Sequence, residues 1–295
     1  MIQVRPLGAL TTGILLTVLT CLFFATLDTI GKQLMLSLTA VQVIWGRYVF
    51  QTAAITGYLG LTTGTRFLRT RHPYLQLTRG VAQAGSNGLV YVALPHIPLA
   101  DATALVFCSP IIVTVLSVVI LKESIGRHRI AAISAGVIGA YLVILPGSGE
   151  TSVYHLLAFC AAFLNATYML ITRRLAGPEE AAATQFNTTA VGLLIFSVII
   201  IFGDVLPPLE AVPTLLLIGV MGAMGHFSMV KALSYAPASV LSPYLYAQVL
   251  FAAVYSLAWF GDSLRPSMIV GTMLLISSGV YIWWRERIRT GAAAV

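Results

Sequence analysis

Ten apolar runs follow one another along the chain, separated by short polar connections. Each run is long enough to cross the hydrocarbon core of a bilayer, about 30 Å thick, as an α-helix. The connections leave no room for a soluble domain. The runs cover residues 9–28, 39–61, 74–94, 100–121, 128–146, 152–172, 182–203, 212–232, 238–260 and 267–284. The pattern predicts an all-α integral membrane protein with ten transmembrane helices, the first of them retained rather than cleaved as a signal peptide.

The composition indicates a chain that faces lipid over most of its surface. Hydrophobic residues make up 58% of the 295 positions and charged residues 9%, whereas a soluble domain carries about 25% charged residues. The formal net charge is +7. The basic residues form short clusters beside apolar runs, which indicates a cytoplasmic membrane face rather than a nucleic-acid surface. Cys21, Cys108 and Cys160 lie inside apolar runs without metal-ligand spacing, so we expect packing roles and no bound metal.

The basic residues also predict the orientation of the helices. With the N-terminus in the cytoplasm, only Lys32 and Arg265 fall on the opposite side, and Arg47 and Arg79 lie inside helices. The other thirteen of the 17 fall in cytoplasmic segments: Arg5, Arg66, Arg69, Arg71, Lys122, Arg127, Arg129, Arg173, Arg174, Lys231, Arg285, Arg287 and Arg289. This bias follows the positive-inside rule and predicts that both termini are cytoplasmic.

A weak internal repeat divides the chain into two halves. At an offset of 139 residues, the aligned pairs include Gly80 with Gly219, Ala93 with Ala232, Pro98 with Pro237, Ser117 with Ser256 and Glu123 with Asp262. If each half holds five helices, an odd number, the second half enters the membrane inverted relative to the first. We predict two inverted five-helix repeats, residues 1–146 and 147–295. Transporters built in this way bind their substrate at the interface between the repeats.

The two halves resemble a known repeat. The stretch LKESIGRHRIAAISAGVIGAYLVI in the first half and FGDSLRPSMIVGTMLLISSGVYI in the second each join an acidic turn to a glycine-bearing helix. With the segments VIWGRYVF, ALPHIPLADA and ALSYAPASVL, they are similar to the EamA repeat. The acidic residue of the second turn is Asp262, where glutamate is usual in that repeat.

The resemblance covers almost the whole chain. It implies a ten-helix member of the drug/metabolite transporter superfamily, in the inner membrane of a bacterium. Length and aromatic content most resemble the bacterial exporters of aromatic amino acids of the YddG type. The EamA motifs are structural and do not specify a substrate.

Helices three and eight carry polar side chains at equivalent mid-membrane positions. On the third helix, Gln83, Asn87 and Tyr91 lie beside a stripe of small residues that lets a neighbouring helix approach closely. The repeat offset superposes Asn87 on His226 of the eighth helix. Because a polar group that faces lipid is costly, these side chains should face a cavity or each other. We predict a substrate cavity; the alternative is that the two side chains only hydrogen-bond across the helices and hold the halves together.

Further candidate substrate-binding residues lie on helices four, six and nine. Prolines within the fourth and ninth helices free backbone carbonyls, which membrane proteins tolerate where a cavity is lined. Aromatic rings suit the apolar part of a substrate, and hydroxyls and amides suit its polar end. These candidates are Phe107, Ser109, Asn165, Tyr168, Ser242, Tyr244, Tyr246 and Gln248. For Tyr244 the alternative is a place in the aromatic belt at the cytoplasmic interface. The cavity is predicted to be lined by helices one, three, four, six, eight and nine.

Charged groups inside the predicted helices leave the energy source open. Arg47 lies close enough to the outer interface to pair with Asp28, our first prediction, or to bind a substrate carboxylate. Arg79 is assigned to the cytoplasmic basic belt. Since Asp28 is placed near the outer end of its helix, His226 is the only mid-depth group suited to proton exchange. Proton coupling, exchange and facilitated diffusion all remain open.

These observations predict a secondary transporter that exports small organic metabolites, with amino acids including aromatic ones as the leading class. Motifs of hydrolases, metalloproteases and P-loop proteins are missing from the sequence, so no catalytic residue and no cofactor are expected. Three alternatives remain: transport of a nucleoside, sugar or drug-like cation, an intramembrane enzyme on lipid-linked substrates, and a small-molecule-sensing receptor. The expected partners are the substrate and the bilayer, no nucleic acid is expected, and a monomer satisfies the prediction.

Overall fold

A computed structural model of the protein describes residues 7–121, 127–144, 153–203 and 206–292. Every named element in these ranges is a helix, so the predicted all-α class is confirmed. The α-helices are α1 (Leu7–Leu34), α2 (Ala40–Thr63), α3 (Pro73–Ala93), α4 (Leu99–Val106), α5 (Ser109–Leu121), α6 (Arg127–Ile144), α7 (Val153–Leu175), α8 (Ala181–Gly203), α9 (Val212–Tyr235), α10 (Ala238–Leu241), α11 (Ala247–Phe260) and α12 (Pro266–Ala292). Short 3-10 helices cover Arg66–Leu68, Leu209–Ala211 and Ser242–Tyr246.

Length and hydropathy identify the helices able to cross a membrane. Within the described ranges, seven helical segments satisfy both criteria: 8–34, 99–116, 153–175, 181–203, 209–235, 242–260 and 266–285. The chain is therefore a multi-pass membrane protein by composition and length, and ten spans remain a prediction. The apolar part of α6 is shorter, Ile130–Ile144. The other two predicted spans, α2 and α3, are long enough but carry more polar residues.

The polar residues of α2 and α3 point into the protein. Gln51 on α2 is 2% exposed and Gln76 on α3 is 1% exposed, so lipid does not meet them. The first turn of α2 is held by a capping box, in which Thr39 and Gln42 bond each other's backbone N–H groups. A polar membrane helix is stable when its polar face is turned inward, so the polar residues of α2 and α3 are compatible with the two predicted spans.

The fourth and ninth predicted spans are interrupted rather than continuous. The fourth breaks at Phe107 and Cys108, between α4 and α5. The ninth runs through α10 and the 3-10 helix before α11 begins. Side chains satisfy carbonyls at both breaks: the Cys21 thiol donates to the carbonyl oxygens of Tyr244 (3.6 Å) and Leu245 (3.4 Å). At the other break, Ser109 Oγ donates to the Val106 carbonyl at 2.5 Å. The breaks therefore persist without unsatisfied backbone at these carbonyls.

Most helix contacts join the two predicted halves. The largest pairings are α1 with α9, α3 with α7, α2 with α9, and α6 with α12. On α3, a Cβ at Gly80 would meet Val191 of α8 at 2.6 Å. On α9, a Cβ at Gly219 would meet Gln51 N of α2 at 2.9 Å. The small-residue stripes of α3 and α9 thus receive α8 and α2, and α3 and α9 are not a principal packed pair.

Arg79 differs from its prediction. Only 4% of Arg79 is exposed, so it does not belong to a basic surface belt. Its guanidinium donates four hydrogen bonds to groups on α7 and α8: Thr172 Oγ1 (2.6 Å), the Thr184 carbonyl (2.8 Å), Thr188 Oγ1 (2.5 Å) and Tyr168 OH (3.0 Å). Four acceptors compensate the buried charge. Arg79 therefore fastens α3 to α7 and α8.

Two loops at the predicted cytoplasmic side are joined through Glu179. Its carboxylate accepts hydrogen bonds from Thr70 Oγ1, from the Arg71 N–H at 2.6 Å and from Gln76 Nε2 at 3.1 Å. Burial raises the pKa of Glu179, but these hydrogen bonds and the neighbouring His72 outweigh burial and hold the pKa below its usual value. The α2–α3 and α7–α8 connections are fixed to each other in this way.

The two predicted acidic turns are only partly described. At the second, Gly261 ends α11 with φ +66°, and Asp262 accepts a hydrogen bond from Ser256 Oγ at 2.6 Å. The acid therefore closes the helix end, as a structural motif would. The equivalent turn, with Lys122 and Glu123, lies outside the described residues, as does Arg5.

Candidate substrate cavity

A cavity of about 670 Å³ lies in the centre of the helix bundle. Binding sites for small organic molecules commonly enclose about 300–1,000 Å³. All six predicted lining helices contribute residues to its wall. Arg47 of α2 and a segment of α12 around Gly279 also line it, and neither helix was predicted to do so. The wall therefore draws side chains from both predicted halves.

The structure brings eleven of the twelve predicted site residues to this one wall. They are Gln83, Asn87, Tyr91, Phe107, Ser109, Asn165, Tyr168, His226, Ser242, Tyr246 and Gln248. The exception is Tyr244, which is 40% exposed and is not part of the wall. The prediction placed Tyr244 and Gln248 on one face of a continuous α-helix. Residues in the observed 3-10 helix instead turn by about 120° each rather than about 100°, which rotates Tyr244 away from Gln248.

Asn87 belongs to a hydrogen-bonded row on the cavity wall. Gln83 Nε2 donates to Asn87 Oδ1 at 3.2 Å, and Asn87 Nδ2 donates to Tyr48 OH at 2.9 Å. Tyr48 in turn stacks on Phe196 with ring centroids 5.7 Å apart. The opposite end of the row is open, because Gln83 Oε1 is buried without a partner among the described residues. The row is held by α2 and α8 and presents amide groups to the cavity.

His226 faces the same cavity without contacting Asn87. Its ring meets Phe24 edge to face, with centroids 5.2 Å apart. In the part of the chain that the structure describes, neither nitrogen of His226 has a hydrogen-bond partner. The alternative of a direct bond from Asn87 to His226 is therefore not what the structure shows. Both side chains remain available to a molecule in the cavity, and their role in binding stays a prediction.

The two helix breaks meet at the cavity. Phe107 and Tyr246, superposed by the repeat offset, contact each other with ring centroids 5.3 Å apart. Within the described ranges, the Tyr246 hydroxyl is buried without a partner. Asn165 Nδ2 reaches Ser109 Oγ at the first break at 3.0 Å. The interruptions therefore bring one aromatic side chain from each half into contact beside polar groups.

Asp28 lines the cavity but was not among the predicted site residues. It was assigned to the outer end of the first helix, and the structure places it on the cavity wall, one helical turn from Phe24. A lone acidic residue within an apolar run was the available signal. Arg47, for which structural pairing was predicted first, also lines the cavity wall.

Ion pairs lie next to Leu99 and Ala102 of the cavity wall, on the side that the charge bias predicts to be external. Asp101, at the start of α4, accepts from Arg265 Nη2 at 2.5 Å and lies 3.1 Å from His155 Nε2. Nearby, Lys32 Nζ lies 3.7 Å from Asp262 and donates to the Ile97 carbonyl at 2.8 Å. We call Lys32, Asp101, His155, Asp262 and Arg265 the outer cluster. It joins the two predicted halves across the cavity end.

The opposite part of the wall reaches toward the predicted cytoplasmic face. It includes Arg173, near the end of α7, and Trp283 of α12. Because α7 and α12 both run toward that face in the predicted orientation, the cavity extends inward from the outer cluster.

An all-helical membrane bundle with a metabolite-sized internal cavity defines the class of a small-molecule membrane transporter. The sequence model of the EamA-like transporter family matches the chain twice, over residues 11–145 and 152–284. The chain belongs to the EamA-like transporter family, which confirms the resemblance to the EamA repeat and leaves the narrower likeness to aromatic amino acid exporters a prediction. It is accordingly a multi-pass membrane transporter of small metabolites.

The names of similar proteins specify different substrates. The pseudopaline exporter CntI of Pseudomonas aeruginosa is 28% identical over 92% of this chain and 95% of its own length. The riboflavin transporter of Brucella anthropi is 28% identical over 82% of this chain and 87% of its own length. The S-adenosylmethionine uptake transporter of Rickettsia prowazekii is 23% identical over 88% of both chains. A solved crystal structure shares the fold with a TM-score of 0.62 at 15% identity, over 92% of this chain and 96% of the other.

Proposed function

We propose that the protein is a secondary transporter that exports amino acids, including aromatic ones, by alternating access through the central cavity. The carrying observation is the cavity itself, whose wall combines amides, hydroxyls and aromatic rings from both predicted halves. Amides and hydroxyls suit the polar head of an amino acid, and the rings suit an aromatic side chain. The S-adenosylmethionine named for one relative carries such a head group. One chain contains the whole cavity, so a monomer suffices.

The proposed topology has ten spans in two inverted halves, residues 1–146 and 147–295, with both termini in the cytoplasm of a bacterial inner membrane. Three observations support it: the distribution of the basic residues, of which this topology puts 13 of 17 on one side, the two family matches and the two interrupted helices. Interrupted helices at the substrate site are a recurrent feature of inverted-repeat transporters. In this topology the outer cluster closes the external end.

The test is flux through the purified protein in liposomes. A panel of labelled tryptophan, phenylalanine, leucine, a nucleoside, riboflavin and a polyamine separates the substrate classes. The proposal expects saturable flux of the amino acids. If only riboflavin or only the nucleoside shows flux, amino acids are not the substrate class and that compound takes their place. If no compound of the panel shows saturable flux, the proposal that the protein is a transporter of these metabolites is refuted.

Variants of the wall residues connect flux with the cavity. Asn87→Leu and His226→Leu should each abolish amino acid flux, because both remove a polar group that faces the cavity. Asn187→Leu is the matched control: Asn187 bonds the Ala183 carbonyl of its own helix at 2.8 Å and is not part of the wall. Size-exclusion profiles establish that the variants fold. Wild-type flux in both wall variants would contradict the assignment of the cavity as the pathway.

A further inference from the structure

Two opposite charges share the wall of the cavity below the outer cluster. Asp28 projects from α1 and Arg47 from α2. The Tyr91 hydroxyl, which accepts a hydrogen bond from Arg47, lies beside Gly31, one helical turn from Asp28. Within the described part of the chain, however, Asp28 and Arg47 form no direct ion pair. The predicted structural pairing of the two is therefore not a direct ion pair, and both residues border the same cavity.

Arg47 is held in place by two hydrogen bonds, and its other N–H donors are unused in the described part of the chain. It is 8% exposed, and its Nε and Nη1 reach Gln51 Oε1 at 3.4 Å and Tyr91 OH at 3.3 Å. Both partners are neutral and both bonds are long. A guanidinium has five N–H donors in a rigid fork. Arg47 therefore retains donors in the geometry that binds a carboxylate with two parallel hydrogen bonds.

Asp28 differs from Arg47 in its hydrogen bonding. Among the residues that the structure describes, none donates a hydrogen bond to its carboxylate. A carboxylate inside a membrane protein is costly unless a partner compensates it. Arg79 and Asp101 show how this chain treats charges that serve packing, because each is bonded directly to side-chain partners. Asp28 departs from that pattern, and its carboxylate borders the space where a ligand would lie.

We propose that Asp28 and Arg47 together form a head-group site for a zwitterion. Asp28 accepts from the ammonium group of the ligand, and the Arg47 guanidinium binds its carboxylate. Phe24 lies one turn from Asp28 and contacts His226, so the remainder of the ligand runs along this aromatic wall. The inference rests on the proposed amino acid transport, and it specifies which residues recognise the head group and why both charges of the ligand are needed.

The proposal is tested by binding of three related probes to the purified protein in lipid nanodiscs, measured calorimetrically. L-phenylalanine carries both charges, N-acetyl-L-phenylalanine only the carboxylate, and phenethylamine only the ammonium. Asp28→Asn should weaken the binding of phenylalanine and of phenethylamine by about tenfold or more, and should change the affinity for the N-acetyl compound by no more than about twofold. Arg47→Gln should show the reverse selectivity. Glu180→Gln, which changes an exposed carboxylate on the α7–α8 connection, is the control.

A second measurement separates recognition from structural pairing. Because Asp28 lacks a donor, Asp28→Asn should keep or raise the apparent Tm without ligand and lose only the stabilisation that phenylalanine adds. A large fall in Tm without ligand would show that Asp28 holds Arg47 in place and would overturn the proposal. Equal losses for all three probes in both variants would also overturn it, while leaving amino acid transport intact. If the wild type binds none of the probes, the proposed amino acid function fails, and the head-group site fails with it.

Discussion

Replacing Asp101 with asparagine should open the outer end of the cavity. The Asp101 side chain is 2% exposed, and it holds Arg265 of the other predicted half at 2.5 Å and His155 at 3.1 Å. The substitution Asp101→Asn preserves the shape of the side chain and removes its charge. A charge-assisted hydrogen bond contributes about 1.5–3 kcal/mol, against about 0.5–1.5 kcal/mol for a neutral one.

The expected magnitude follows from these values and from exposure. Counting only the Arg265 bond, the loss is about 1–2 kcal/mol, and the lower end is favoured because the Arg265 side chain is 24% exposed and partly screened by water. A difference of about 1–2 kcal/mol changes an equilibrium ratio by about 5–30-fold. If the bond exists only while the outer end is closed, the ratio of outward-open to closed molecules rises by about fivefold or somewhat more.

The assay is labelling of a cysteine at the outer end of the wall. Leu99 lines the cavity and is 1% exposed, so Leu99→Cys should react with a membrane-impermeant maleimide from outside only when that end opens. Cys160, which is exposed, is first changed to serine. The labelling rate in right-side-out vesicles should rise with Asp101→Asn and stay constant with Glu210→Gln, an exposed carboxylate. Equal rates in the two backgrounds would refute the view that the outer cluster holds the cavity closed.

Three further predictions concern a loop contact, a helix contact and an excluded site residue. Glu179→Gln should lower the free energy of unfolding by about 2 kcal/mol, because it removes a charged hydrogen-bond acceptor. The pKa of Glu179 in the folded protein is lowered from 4.5. The stabilisation by the carboxylate is therefore present above pH 4.5 and is lost as the pH falls through the folded-state pKa. The apparent Tm of the wild type should thus approach that of the variant in acid, and parallel curves would contradict this. Gly271→Ala should lower the free energy of unfolding by about 1–3 kcal/mol, and with it the Tm, because the added Cβ would lie 2.6 Å from a backbone oxygen of α6. Gly57→Ala is the control: a Cβ at Gly57 has no neighbour within 4 Å, so this change should not lower the Tm. Tyr244→Leu should retain flux that Tyr246→Leu loses, and loss in both would return Tyr244 to the site.

Much of the fold and of the cavity wall was accessible from sequence for one physical reason. In a bilayer, a helix satisfies its own backbone, so hydrophobic runs indicate helices and polar positions within them indicate inward faces. Asn87 and His226 illustrate this: each is a polar residue in an apolar run, and both reach the cavity wall. The repeat predicts that they occupy equivalent positions, and the structure shows that their helices, α3 and α9, are not a principal packed pair.

The helix breaks could not be located from sequence alone. Proline within an apolar run indicates a possible kink, but the extent of a 3-10 segment depends on which groups donate to the freed carbonyls. Near Tyr244 the donor is Cys21, more than two hundred residues away in the chain. Local sequence does not contain that contact. Tyr244 lies off the wall for the same reason, because the direction of its side chain depends on how the backbone turns through the break.

The buried charges give the more general argument. Arg79, Asp101, Asp28 and Arg47 look alike in sequence, as ionisable residues within or beside apolar runs, and only their partners distinguish them. Arg79 has four acceptors and Asp101 has two partners, so removing either should loosen helices. Asp28 has no donor in the described ranges, and Arg47 has two long bonds to neutral groups. Because membrane interiors penalise uncompensated charge, a charge left unsaturated beside a cavity indicates where a ligand supplies the compensation. The number of hydrogen-bond and ion-pair partners, rather than depth or residue type, therefore separates the charged side chains that hold the helices together from those that we assign to substrate binding.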